Sequence, residues 1–448
     1  MRGLEVKDRN PADSVGYREL LAGNTNYRRI WFGEVASWFG DWFNAIALYT
    51  LVRELTGSPL ALGLVFLTKM VPFAVASPLA GLLVDRFNRR RLMIAADLLR
   101  AVVVLGFLLV HEASDLYLIY GLTGVQVILT AVFIPARSAS IPNVTTDGEL
   151  LTANALSAAT WSTLLAVGAA LGGVATDWFG VRVVFVLDSL SYLVSAAFLW
   201  RATIPQETEL GSSVGSVKAA LGDIAKGWRY LWEHRPVGRM ALGKSSWSLG
   251  GGALVYMLAL LGEVVMPGSP ALGIGLLYGL RGLGTGIGPV AVRSWLPDEK
   301  RWPLMMGIGI VISGLCYVAV GIVPWLLATA VLVVLAHAPS GANWVASTVL
   351  LQKRTVDSYR GRVFSAEWLA VTVADSVSIL TASLLLESGL ISLRTGILIF
   401  AVVQILCGTL WIGLVVPAER REDFTQARAG TGPGRGKPTA AASDRESA

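Results

Sequence analysis

The chain has 448 residues, of which 54% are hydrophobic and only 15% are charged. Soluble domains carry about 25% charged residues, so this chain has too few charges to cover a water-facing surface, which excludes a soluble globular protein. The net charge of +6 comes from Lys and Arg that lie mainly in links between apolar runs and in the two tails. That placement is typical of a membrane protein and argues against a nucleic-acid-binding protein.

Apolar runs long enough to cross a bilayer recur along most of the chain, since one crossing needs about 20 residues. The pattern predicts an all-α integral membrane protein with twelve transmembrane helices. The predicted spans are, approximately, 29–54, 59–84, 92–111, 116–140, 151–177, 181–201, 238–266, 270–292, 302–322, 324–350, 363–387 and 391–416.

The longest polar link separates the sixth span from the seventh and divides the chain into two six-helix bundles. It contains a weakly amphipathic stretch at 217–232. The composition of the C-terminal tail, rich in Gly, Ala, Ser and charge, predicts disorder. The predicted segments are a cytoplasmic N-terminal tail at 1–28, bundles at 29–201 and 238–416, a cytoplasmic linker at 202–237 and a disordered cytoplasmic tail at 417–448.

The distribution of Lys and Arg predicts the orientation. With both tails in the cytoplasm, the outer links hold only Arg53, Arg182 and Arg394, whereas the inner links and tails hold many basic residues. This is the bias of the positive-inside rule, so we expect a multi-pass protein of the inner (cytoplasmic) membrane with both termini inside.

A weak internal repeat supports the division into halves. Segment 142–149, after the fourth span, and segment 352–359, after the tenth, carry an aspartate at the same place, Asp147 and Asp357. Two related six-helix halves with a substrate site between them are the design of many transporters.

A basic turn between the second and third spans resembles a loop motif of the major facilitator superfamily, Gly-x-Leu-x-Asp-Arg-x-Gly-Arg-Arg/Lys. Asn88 replaces the second glycine, and Asn tolerates a left-handed backbone better than most residues. The matching residues are Gly81, Leu83, Asp85, Arg86, Arg89 and Arg90.

Further segments resemble the branch of this superfamily that contains macrolide-efflux proteins and the enterobactin exporter. They are 39–41, 55–59, 135–137, 153–156 and 359–364.

The resemblance implies a monomeric secondary transporter that needs no cofactor and alternates access to a mid-membrane site. It implies proton-driven export of a small, moderately apolar, drug-like molecule. A dedicated exporter of a siderophore or other secondary metabolite, a lipid transporter, and a non-transporting membrane sensor or scaffold remain alternatives.

Two motifs depart from the family. Segment 168–173 in the fifth span lacks the proline of the antiporter motif, which weakens the inference of drug/proton antiport. Its glycines are still expected to allow close helix packing. The second half's copy of the basic loop, 288–293, has lost its acid.

Two acids in the first span are candidates for proton coupling, because charge inside the membrane is costly and often functional. Glu34 and Asp41 are seven residues apart and therefore share a helix face, with Trp38 between them and Asn44 one turn beyond. If that face borders the cavity, Asp41 binds and releases a proton. The alternative is a packing or capping contact.

Lys69 in the second span and Asp375 in the eleventh are isolated charges at mid-membrane depth. Since these spans pack together in this superfamily, we predict that the two residues form an ion pair between the bundles. The alternative is that Lys69 extends toward the interface or lines the cavity alone.

The family resemblance predicts a cytoplasmic gate at the basic turn. Asp85 is expected to cap the N-terminus of the eleventh span, near Arg360 and Arg362, with Arg137 as another partner. Topology signalling alone accounts for the arginines of the turn but not for its acid.

Further candidates for the substrate cavity are Asn44 on the first span, Lys244 on the seventh span and the aromatic residues Trp38, Trp247 and Trp344. Tryptophans supply walls for an apolar or cationic ligand, although many serve as membrane-interface anchors. The sequence contains no phosphate-binding loop and no metal-spaced cluster, and its histidines are far apart. The chain is therefore predicted not to be an enzyme.

Overall fold

The structure is a computed structural model that describes residues 15–206, 217–295 and 298–421. Nearly all of these residues are helical, and none of the described residues forms a β-strand. The predicted all-α fold is therefore confirmed. The C-terminal stretch for which disorder was predicted lies, from residue 422 onward, outside the described residues.

The N-terminal half begins with a short helix that precedes the predicted first span. A φ of +78° at Gly180, which L side chains rarely adopt, interrupts α6, so this element supplies both the fifth and sixth predicted spans. The helices are α1 Tyr17–Gly23, α2 Thr25–Thr56, α3 Pro59–Arg86, α4 Arg89–Leu105, α5 Leu116–Val144 and α6 Asp147–Arg201.

The amphipathic stretch of the linker forms a helix, and six long helices follow it. They are α7 Val217–Glu233, α8 Arg235–Val265, α9 Pro270–Trp295, α10 Trp302–Ile322, α11 Leu326–Arg354, α12 Asp357–Glu387 and α13 Leu393–Leu410. A π-helical turn, Trp411–Val415, extends α13.

These elements are consistent with twelve membrane spans. Nine of the described helical stretches are long and apolar enough to cross a membrane, and one of them, Asp147–Arg201, contains two spans. Helices α2 and α9 are long enough to cross a membrane but are not among these nine stretches. The six charged residues of α2, which include Glu34, Asp41 and Arg53, and the many glycines of α9 lower the hydropathy of these two helices.

Short capped turns join the helices, and successive helices therefore run in opposite directions. We call the end of the molecule that holds α7 and the turns after α3 and α5 the basic end, and the opposite end the far end.

Asn88 caps α4 by accepting from Arg91 N at 3.0 Å. Its φ of −63° is not left-handed, so this position does not require glycine.

The apolar core joins the two halves only toward the far end. The largest cluster of buried residues includes Tyr49 and Phe66 from the first half and Tyr256 and Tyr278 from the second. Toward the basic end, separate clusters lie within the first half and within the second half with its linker. The structure is therefore closed at the far end.

Glycines bring helices of the two halves into backbone contact. A Cβ atom at Gly173 of α6 would lie 2.8 Å from Ala271 O and 2.9 Å from Gly275 Cα, both on α9. Within the first half, Gly168 and Gly172 face α2 at similarly short range. The expectation that the glycines of segment 168–173 serve close packing is confirmed.

We therefore expect Gly173→Ala to force α6 and α9 apart and to lower the free energy of unfolding by about 1–3 kcal/mol. The measurement is thermal unfolding of the purified protein in detergent. Gly121→Ala on α5 is the matched control, because a Cβ there meets nothing within 4 Å. Equal melting temperatures for the two variants would contradict this packing.

Candidate functional site

Asp41 is held by a short chain of hydrogen bonds in the middle of the first half. Tyr192 of α6 donates its hydroxyl to Asp41 Oδ1 at 2.5 Å. Gln126 of α5 donates Nε2 to the Tyr192 hydroxyl at 2.9 Å. Tyr192 and Gln126 are buried, whereas Asp41 is partly exposed. This carboxyl group therefore has one face fixed by the protein and another that is accessible.

A buried ion pair lies next to Tyr192 in this chain of hydrogen bonds. Arg100 of α4 pairs with Asp97 one turn away, and both side chains are almost fully buried. The guanidinium carbon of Arg100 lies 4.4 Å from the ring centroid of Tyr192. The cation–π contact orients the tyrosine that donates to Asp41.

A third acid explains the glycine beside Asp41. Asp188 of α6 is fully buried, and its Oδ1 accepts from Ser191 Oγ at 3.3 Å. A Cβ atom at Gly40 would lie 2.4 Å from that same Oδ1 atom. Only glycine at this position lets α6 approach α2 so closely. Asn44 is also buried near Asp188.

Asp97, Arg100, Asp188 and Tyr192 are not among the site residues predicted from the sequence. The signal was present, because the three charged residues lie inside the third and sixth predicted spans. The same argument that identified Asp41, the cost of charge inside a membrane, applies to each of them. Only the fold, however, brings them next to Asp41.

We expect Asp97→Asn to lower the free energy of unfolding by about 3–5 kcal/mol, because it leaves the charge of Arg100 buried and unpaired. Thermal unfolding in detergent measures this. The double variant Asp97→Leu/Arg100→Met removes both charges and should recover most of the loss. A single variant as stable as the parent protein would show that the pair carries no structural role.

Glu34 lies in a different environment from Asp41. Arg137 of α5 forms an ion pair with it at 2.6 Å, and the Glu34 side chain is only 1% exposed. Ser157 of α6 binds both residues, and Arg137 lies 5.3 Å from the ring of Trp38. Arg137 was predicted as another partner of Asp85, whose side chain lies outside the described residues, so that contact stays a prediction. Among the described residues, Arg137 binds within its own bundle, about two turns before the end of α5.

The second half contains a matching ion pair. Lys244 of α8 binds Glu367 of α12 at 2.9 Å, and both side chains are buried. The ammonium group lies 4.7 Å from the ring of Trp344. Lys244 lies nine residues into its helix, as Glu34 does, so both pairs are about 14 Å from the basic end.

The structure does not bring Lys69 and Asp375 into an ion pair. The Lys69 ammonium lies 5.7 Å from the ring centroid of Tyr49, and a Cβ atom at Gly252 would lie 2.7 Å from Asp375 Oδ1. The two side chains are directed to different helices, α2 and α8, although α3 and α12 are in contact. The pairing stays a prediction.

Trp247 lies inside the second half. Its ring makes an edge contact with His337 at 6.3 Å, and His337 is hydrogen bonded to Tyr317 at 2.8 Å. The indole nitrogen of Trp247 has no hydrogen-bond partner among the described residues.

The arginines of the basic turn bind the ends of neighbouring helices. Arg89 donates to Ala139 O of α5 at 2.8 Å, and Arg90 donates to Leu199 O of α6 at 3.1 Å. Cations at helix C-termini are favourable, so these contacts fix the turn within the first half. Arg86 is exposed, a Cβ at Gly81 would meet nothing within 4 Å, and the Asp85 side chain lies outside the described residues.

The predicted partners of Asp85 lie near the linker. Arg362 of α12 pairs with Asp223 of α7 at 3.1 Å, and Arg360 is exposed in the first turns of α12. The hydrogen bond from Lys226 and the charge of Arg362 lower the pKa of Asp223. This contact attaches the linker to the second half.

Polar contacts between the halves occur at the far end. Arg53 of α2 binds Glu263 of α8 at 2.9 Å. Glu387 of α12 accepts from Ser58 Oγ at 2.7 Å and from Leu60 N at 3.0 Å, at the start of α3. Together with the shared aromatic core, these contacts keep the far end shut.

Removing the Arg53 charge should weaken the closure of the far end. If the lost ion pair contributed about 1 kcal/mol, the fraction of molecules open at this end rises about fivefold. We expect Arg53→Gln to speed labelling of a Phe66→Cys probe by an impermeant maleimide, with Cys316 and Cys407 replaced by Ser. Arg394→Gln is the matched control, because Arg394 donates only within the second half. Equal labelling rates for both variants would contradict a closing role.

Comparison with known proteins identifies the family. A family model described as the Major Facilitator Superfamily matches residues 30–377. The chain belongs to this superfamily. Among relatives, macrolide efflux protein A of Streptococcus pyogenes is 24% identical over 79% of this chain and 88% of that protein. The putative bacilysin exporter BacE of Bacillus amyloliquefaciens is 23% identical over 82% and 93%.

Another relative aligns with a smaller part of the chain. The uncharacterized MFS-type transporter YfiS of Bacillus subtilis is 29% identical over 44% of this chain, and the alignment spans 47% of YfiS. Among solved structures, a bacterial homologue of the lysosomal transporter Spinster, in an inward-facing conformation, has a TM-score of 0.69 at 15% identity. It covers 90% of this chain and 98% of its own, which confirms the major facilitator fold.

Proposed function

We propose that this protein exports a small, moderately apolar molecule across the cytoplasmic membrane as a monomer, by proton antiport with alternating access. One observation carries the proposal. Asp41 is the acid of the first half that combines partial exposure with a hydrogen bond from a buried Tyr192. A relative named for macrolide efflux and another named as a putative exporter support the outward direction.

In this proposal Asp41 exchanges a proton during each transport cycle. When ionised, the carboxylate accepts the Tyr192 hydrogen bond, and Gln126 keeps that hydroxyl in position. When protonated, the side chain is neutral and no longer attracts a cationic or polar cargo. Each proton that moves inward across about 100 mV releases roughly 2.3 kcal/mol, which supports a modest uphill gradient of solute.

The separation of the bundles supports alternating access. By the positive-inside rule the basic end faces the cytoplasm, so closure at the far end corresponds to an inward-facing state. Opening to the outside then requires the Arg53–Glu263 pair and the glycine contact of α6 with α9 to separate. Transporters with two related halves change access by such rocking.

The test is proton-driven uptake of ethidium and erythromycin into inside-out vesicles. We expect Asp41→Asn to reduce uptake at least tenfold, because its side chain cannot exchange a proton, while counterflow exchange of the same compounds persists. Asp177→Asn, an exposed acid on α6, is the control. Full proton-driven uptake by Asp41→Asn would remove this residue from the mechanism.

A second candidate, export of a secondary metabolite with an anionic group, is favoured by two cations. Neither Lys69 nor Arg281 forms an ion pair among the described residues; each lies near an aromatic ring, Tyr49 and Tyr278 respectively. These rings contact each other across the halves at 5.9 Å. Competition by decanoate and by decyltrimethylammonium would separate the candidates, because an anionic cargo predicts inhibition by decanoate alone.

The remaining alternatives give other results. A non-transporting sensor or scaffold predicts no proton-dependent movement of any tested compound. A lipid transporter, favoured by similarity to a protein named lysophospholipid transporter LplT, predicts competition by lysophospholipid.

A further inference from the structure

A pocket lies at the basic end of the second half, away from Asp41. It has a volume of about 370 Å³ and opens between the start of α10, the end of α11 and the segment after the π-helical turn. Its lining comprises Glu299, Lys300, Arg301, Pro303, Leu304, Leu350, Lys353, Arg354, Val416, Glu419 and Arg420.

Positive charge dominates this pocket, because five of the lining residues are basic and two are acidic. Both carboxylates already have partners. Glu299 binds Lys353 at 2.5 Å, and Glu419 binds Arg354 at 2.6 Å and Arg239 at 2.7 Å.

The remaining cations are less compensated. Arg301 contacts Asp298 at 3.3 Å but is 72% exposed, so this pair is weak. The side chains of Lys300 and Arg420 form no ion pair in the part of the chain that the structure describes, and both are exposed. The pocket therefore offers two free cations and several partly screened ones to an anion.

The walls and surroundings of the pocket are apolar. Leu304, Leu350 and Val416 line it, and α10 continues from it into the predicted membrane region. Along α10, Ile308, Ile312 and Leu315 are 43%, 41% and 54% exposed and recur every three to four residues. They form one apolar stripe that begins about one turn beyond Leu304.

The neighbouring helix also carries exposed apolar side chains. Helix α13 packs closely against α10, since a Cβ at Gly314 would lie 2.9 Å from Ala401 O. Leu410 and Leu414, near the end of α13, are 58% and 68% exposed. The basic pocket therefore lies at the end of two helices with exposed apolar side chains, and a phospholipid likewise joins a charged head group to hydrocarbon chains.

We propose that this pocket binds the phosphate head group of an anionic phospholipid from the adjacent leaflet, with its acyl chains along α10 and α13. Basic pockets between membrane helices on the cytoplasmic side are suited to such head groups. A free phosphate ion would satisfy the cations but would gain nothing from the apolar stripe. The proposal is independent of the cargo of the transporter.

The experiment uses the full-length protein in detergent and follows its melting temperature as lipid is added. We expect phosphatidylglycerol to raise the melting temperature and phosphatidylcholine of the same acyl chains not to do so. In Lys300→Ala/Arg420→Ala, half-maximal stabilisation should need at least tenfold more phosphatidylglycerol, and native mass spectrometry should show fewer bound lipids.

The charge-matched control is Arg18→Ala/Arg182→Ala, which removes two exposed cations elsewhere and should leave the lipid response unchanged. Three outcomes would overturn the proposal: equal stabilisation by the two lipids, an unchanged response in Lys300→Ala/Arg420→Ala, or the full effect from inorganic phosphate alone. Proton-driven transport is not part of this readout, so the result stands whatever the function of Asp41.

Discussion

Charge buried inside a membrane protein is costly unless it is paired, and the three buried ion pairs among the described residues each lie within one half. Asp97 pairs with Arg100, Glu34 with Arg137, and Lys244 with Glu367. Leaving any of these charges unpaired would be costly, so each pair ties helices, or neighbouring turns, of one bundle together. These ion pairs thereby fix each bundle internally.

The contacts between the two bundles differ in kind from the buried ion pairs within them. Contacts between them combine glycine backbones, stacked aromatic rings and a partly exposed ion pair at the far end. Partly exposed pairs contribute little individually, and aromatic and glycine packing is shape-dependent rather than charge-dependent. Such an interface can separate without stranding a charge in hydrocarbon, which is a requirement for a protein whose halves rock against each other.

In the first half, one chain of contacts links a structural ion pair to Asp41, the acid proposed to exchange a proton. Arg100 compensates Asp97 and lies over Tyr192, and Tyr192 donates to Asp41. Structural ion pairing therefore fixes the hydrogen-bond donor of an accessible acid. Glycine at position 40 completes the arrangement, because any side chain there would displace Asp188 and Ser191.

Hydropathy, the charges of the links and the motif at 81–91 are local properties, so they predict the membrane class, the helical fold and the family without any coordinates. The cost of charge inside a membrane likewise identifies Asp41, Glu34 and Lys244. The partners of such residues follow only from the fold, since an ion pair depends on which helices are neighbours and where each side chain points. Arg137 thus binds Glu34, Lys69 and Asp375 are directed to different helices, and Tyr192 reaches Asp41 from a helix about 150 residues away.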